Sequence, residues 1–189
     1  MRATEPLSED YPSEADWLLP ILRIAWKTAD DPDFHFDKWQ EDLIRRMLET
    51  YPEGHERAGE LRFRQVVVSM GRQNGKSLLA ASLGIWGLLR SPGNYVVGIA
   101  SSAEQARIVY DRTMFVIRNN KSLSAMFEKL TDTRGIRAKD GGKYEIKAAK
   151  SGALQGLPVS VALADELHLM PPALWSDMVN GTGGRKNGI

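Results

Sequence analysis

No cysteine occurs among the 189 residues, which excludes a disulfide framework and any thiolate metal site and removes the usual mark of an oxidising compartment. Histidine is scarce: no two of His35, His55 and His168 have metal-ligand spacing. Long apolar runs are missing too. Leu78 to Leu89 is interrupted by Ser82, Gly84 and Gly87, and the acidic N-terminus has no signal-peptide core. Excess charge is also lacking, at net +1, so no global field draws the chain to nucleic acid. A cytoplasmic protein without a membrane partner is expected.

What is present is ordinary globular material, 42% hydrophobic and 26% charged, long enough to bury a sizeable core. Apolar spacing predicts a helix over Asp16 to Ala29, with Pro20 in its first turn, and an amphipathic helix over Asp37 to Tyr51 capped by Asp37. "RFRQVVVSM", Arg62 to Met70, reads as a strand buried on both faces. A helix over "SLLAASLGIWGLL", a buried strand at Tyr95 to Ser101 and a helix opened by a Ser102/Gln105 capping box follow. The Asp140-Gly141-Gly142 turn marks a hairpin, "VSVALADE" a third buried strand, and "PPALWSDMVNGTGGRKNGI" a short helix with a glycine-rich basic tail. This alternation indicates an α/β fold with a mainly parallel sheet flanked by helices.

Chemistry concentrates between the first predicted strand and its helix. Gly75-Lys76-Ser77 ends like a phosphate-binding loop, although Met70 stands where the usual first glycine would be and Gly71 follows it. Backbone N–H groups at a helix N-terminus bind anions. Lys76 would reach the β- and γ-phosphates, and the Ser77 hydroxyl would hold Mg²⁺. Gly71 would supply a permissive torsion and Gly75 close backbone approach. Asp165 and Glu166 end the third strand, where open α/β sheets bind ligands; Asp165 suits Mg²⁺ and Glu166 suits the attacking water. Arg72 can lie over the γ-phosphate. Trp39-Gln40 offers a stacking face and a donor–acceptor pair to an adenine edge. Only His168 among the histidines lies near this site.

Taken in order, "DKWQ", "GRQNGKS", "ASSAEQA" and "VALADELH" resemble the ATPase half of the large terminase subunit of tailed bacteriophages, the motor that packages DNA. In that family an Arg-Gln-x-Gly-Lys-[Ser/Thr] loop replaces the glycine-first loop, and Arg72-Gln73-Asn74-Gly75-Lys76-Ser77 follows it. The resemblance implies a P-loop NTPase of the additional-strand type, using ATP and Mg²⁺. It implies that Gln40 contacts adenine and that residues 71–77 hold the nucleotide. It implies further that Arg72 senses the γ-phosphate, that Lys76 and Ser77 serve phosphate and metal, Asp165 the metal, and that Glu166 is the catalytic carboxylate. It also implies double-stranded DNA, a small terminase subunit, a portal protein and a homo-oligomeric ring as partners, in the infected cell's cytoplasm. Residues 1–33 would form a helical extension and 34–189 the ATPase domain.

Two departures qualify the resemblance. Gln155 precedes Gly156 where some members carry a trans-acting arginine, leaving Arg134 and Arg137 as substitutes. Neither the next sheet strand nor a nuclease domain is present, so the chain is expected to be a fragment, weakly active alone and unable to cut DNA. The alternatives are a DExx-box helicase fragment, which would unwind a tailed duplex, and an assembly module without turnover. Between Thr131 and Lys150 six basic residues face three acidic ones. The Gly135 to Lys147 hairpin and the helix with Arg107, Arg112 and Arg118 are the expected DNA surfaces. Lys139→Glu and Lys143→Glu would test the hairpin at low salt.

Overall fold

The computed structural model describes residues 4–71, 73–131, 135–148, 154, 156–183 and 189. The chain divides into two compact units, Met1–Val67 and Val68–Ile189. In the first, helix α1 (Ala15–Ala25) buries Ala15, Leu18, Leu19, Leu22 and Ala25, the inward stripe its spacing predicts. It ends earlier than expected, and Pro20 lies inside the helix, not in its first turn; its exposed position keeps the lost N–H bond on the solvent side. Helix α2 (Lys38–Met47) packs against α1 and is capped by Asp37 as predicted. Arg23 and Glu41 tie the two helices at 2.7 Å.

The strand expected over Arg62 to Met70 is absent. Its residues carry no sheet pairing, and Val67 is 71% and Val68 39% exposed rather than buried on both faces. An apolar run becomes a strand only where a neighbour takes its N–H and C=O groups, and no described strand lies in register with this one.

The second unit is built on one open sheet. Helix α3 (Lys76–Leu89) leads to β1 (Tyr95–Ala100), buried along its whole length, and then to α4 (Ala103–Asn119), capped by Ser102 accepting from Gln105 N at 3.2 Å. The Gln105 side chain pairs with Ser101 Oγ. Next come the one-turn α5 (Lys121–Ser124), β2 (Phe127–Thr131), β3 (Gly135–Ala138), β4 (Lys143–Ala148), β5 (Val161–Ala164), a 3₁₀ turn at Leu167–Leu169 and α6 (Pro172–Gly183). The order is β2-β3-β4-β1-β5: β1 pairs parallel with β4 and β5, and β2 and β3 add an antiparallel ladder. β3 and β4 form the predicted hairpin, whereas β2 was not anticipated. β5 is less buried than expected, with only Val161 of its four residues buried.

Alternation along β1 divides the core. Tyr95, Val97 and Ile99 pack with Val159, Leu174 and Met178 on the α6 side. Val96 faces α3, where a Cβ on Gly87 would lie 2.8 Å from Val96 Cγ2 and 3.0 Å from Val161 Cγ2. Glycine is what lets the helix ride this close to the sheet. Beside it Tyr144 is fully buried, edge-on to Tyr110 at 5.3 Å and against Gly98, and its hydroxyl has no hydrogen-bond partner among the described residues.

Candidate active site

The loop before α3 turns through two left-handed residues, Gln73 at φ 63° and Gly75 at φ 78°. The permissive torsion expected of Gly71 is therefore found elsewhere. Gly71 instead makes room, since a Cβ there would meet the Asn74 side-chain amide at 3.1 Å. Gly75 caps α3, and the first helical bond runs from Leu79 N to Gly75 O at 3.0 Å. The amides of residues 76–78 precede that bond and lack an intrahelical acceptor, the arrangement that binds anions. Lys76 and Ser77 are the first two residues of the helix.

The acidic pair lies at the carboxyl end of β5. Val161 and Leu163 face α3, so alternation carries Asp165 to the same side. Asp165 N donates to Ile99 O at 3.0 Å, extending the pairing with β1 past the strand. Asp165 Oδ1 accepts from Glu166 N at 3.0 Å. Glu166 adopts φ 55°, ψ 45°, left-handed for a residue that carries a Cβ. Its side chain meets Lys76 Nζ at 3.6 Å through Oε1 and His168 Nδ1 at 3.5 Å through Oε2. The lysine and the carboxylate are far apart in sequence, yet the sheet brings them together.

Residues 47–189 match the family model described as terminase large subunit, ATPase domain. The chain belongs to this family. Among solved structures, the terminase ATPase fold is shared with the HK97 bacteriophage large terminase, at TM-score 0.75 and 17% identity over 94% of this chain and 36% of that one. The Thermus phage P74-26 large terminase ATPase domain aligns at TM-score 0.52 and 22% identity over 62% of this chain and 54% of that one. The chain thus spans about a third to a half of these relatives. No curated protein matches the sequence.

Within the terminase framework the remaining predicted site residues separate. Arg72 lies outside the described residues, as do Arg134 and Gln155. Gln40 belongs to the first unit, where it is buried and its Oε1 accepts from Asp37 N at 2.9 Å in a capping box. Its neighbour Trp39 is partly exposed and donates from Nε1 to Asp37 Oδ2 at 3.2 Å. Ser77 and Asp165 supply a hydroxyl and a carboxylate, hard oxygen donors that fit Mg²⁺ completed by water and phosphate; no denser His, Cys, Asp or Glu cluster occurs among the described residues. No helix among the described residues is long and apolar enough to cross a membrane.

The candidate site also holds what the motif did not reveal. Neither the left-handed torsion of Glu166 nor its contact with His168 is written in residue type, because glutamate rarely takes that conformation. The basic hairpin proves to be an organised ion-pair cluster. Glu145 lies 2.9 Å from Arg137 Nη2, 3.5 Å from Lys143 Nζ and 3.4 Å from Lys147 Nζ, and accepts the Tyr95 hydroxyl at 2.7 Å. The alternation Lys143, Glu145, Lys147 was the available signal, since residues two apart on a strand share a face.

Proposed function

We propose that this chain binds ATP·Mg²⁺ at the head of α3 and hydrolyses it to drive double-stranded DNA into a procapsid. The observation that supports this most directly is the meeting of Lys76 and Glu166 beside the helix terminus. The first-turn amides and Lys76 hold the phosphates, and Gln40 and Arg72 are proposed to contact adenine and the γ-phosphate. Mg²⁺, when bound through Ser77 and Asp165, supplies charge neutralisation between the phosphate oxygens. Glu166 orients a water in line with the γ-phosphorus and accepts its proton. The new P–O bond forms as the bond to the β-phosphate oxygen breaks, releasing ADP and phosphate. The hairpin cations are proposed to meet DNA phosphates. The small terminase subunit, the portal and neighbouring copies in a ring are the proposed partners, in the infected-cell cytoplasm.

The test uses the full natural protein. Glu166→Gln should keep nucleotide affinity while hydrolysis falls at least about a hundredfold, the size of a lost general base. Lys76→Ala should lose nucleotide binding itself, read by a fluorescent ATP analogue. Undiminished hydrolysis in Glu166→Gln would sink the assignment.

A further inference from the structure

Glu166 is flanked on both sides, with Lys76 Nζ 3.6 Å from one carboxylate oxygen and His168 Nδ1 3.5 Å from the other. These two partners differ in how they are attached. Lys76 is the first residue of α3, and a phosphate at that helix terminus carries more negative charge than a carboxylate and competes for the ammonium. His168 belongs to the same turn as Glu166. That turn is closed by Leu169 N to Glu166 O at 2.9 Å and Met170 N to Leu167 O at 3.0 Å.

In an α-helix side chains at i and i+2 point apart, and on a strand, about 6.6 Å from one another, only long side chains bridge the gap, as Lys143 and Lys147 do to Glu145. Here the left-handed torsion at Glu166 followed by a 3₁₀ turn brings His168 Nδ1 to 3.5 Å from Oε2. A non-glycine residue persists in that conformation only where its surroundings enforce it, and such strain gathers at functional sites. The Asp165 carboxylate helps enforce it by accepting from Glu166 N.

We infer that His168 is a positioning residue. It holds the Glu166 carboxylate in its working orientation once phosphate has drawn Lys76 away. This rests on the proposed role of Glu166 in hydrolysis. The imidazole, exposed on its other side, acts on Glu166 through Nδ1 and not on the nucleotide. An asparagine, whose side-chain amide donates from a similar distance along the chain, should substitute in part.

In the full natural protein, His168→Ala should lower kcat about tenfold to a hundredfold, as misplacement of a reacting group does, with KM and nucleotide affinity unchanged. His168→Asn should recover most of the loss. Combined with Glu166→Gln, His168→Ala should add nothing further, because its effect passes through that carboxylate. In the same protein, the His168 ring ¹⁵N signals should shift on Glu166→Gln. Wild-type kcat in His168→Ala, additive losses in the double variant, or unmoved ring signals would each overturn the inference while leaving Glu166 its role. Undiminished hydrolysis in Glu166→Gln would overturn both.

Discussion

At the scale of single residues, Glu145 shows how one carboxylate organises a surface. Burial alone would push its pKa up, but the Tyr95 hydroxyl together with Lys143, Lys147 and Arg137 outweighs burial and holds it below the usual carboxylate range. The unfolded chain then binds this proton more readily than the folded one. The stabilisation is present above the unfolded value, about 4.3, and is lost as pH falls through the folded value. Thermal melts from pH 7 down to about pH 3 should therefore fall less steeply for Glu145→Gln than for the wild type, and equal slopes would contradict this linkage. Glu41, lowered chiefly by its hydrogen bond to Arg23, accounts for part of the remaining slope. The proposed reacting groups could be named at this scale, because phosphate chemistry restricts the residues that can follow Gly75 and end β5. Their conformations could not. Gln73 and Glu166 take torsions their side chains disfavour, and such choices are imposed by the surrounding structure.

At the scale of elements, the contact between α3 and the sheet depends on a missing side chain. A Cβ at position 87 would approach Val96 and Val161 at 2.8 and 3.0 Å, both rigid β-branched neighbours. Gly87→Ala should destabilise the fold by about 1 to 3 kcal/mol, since overpacking here must lift the helix or shift β1. It should also weaken nucleotide binding, because Lys76 rides on the same helix. Urea unfolding would measure the first and a fluorescent nucleotide the second; an unchanged midpoint would remove Gly87 from this role. β1 and the hairpin were readable because burial and turn chemistry are local. Arg62 to Met70 was misread for the opposite reason: its pattern fits a strand, but strands are made by partners. β2, with the mixed "FEKLT" pattern, becomes a strand only by pairing with β3.

At the scale of the molecule, β1 is the central member of the second unit. It pairs parallel on both sides, with α3 and α4 over one face and α6 packed beneath the other. The outer edge of β5 is engaged by Ile189, whose N–H donates to Ser160 O at 3.0 Å and whose carbonyl accepts from Ala162 N at 2.8 Å. Antiparallel neighbours can be joined by a tight turn, but parallel ones must be brought from far along the chain. Arg137 and Glu145 in the hairpin are 8 residues apart, Tyr95 and Glu145 are 50, and Tyr95 and Ser160 are 65.

That graded spacing sets an order in time. The hairpin closes the shortest loop and loses the least chain entropy, whereas β5 must close the longest before its contacts repay it. Asp165 and Glu166 sit at the end of this last strand, so the acidic half of the site should arrive after the sheet and leave before it. Pulse-labelled hydrogen exchange during refolding should protect the amides of β3 and β4 before that of Asp165, and simultaneous protection would exclude the order. A protein built this way can lose the Asp165–Glu166 pair in a brief local opening while most of its sheet stays folded, and regain it without refolding from the beginning.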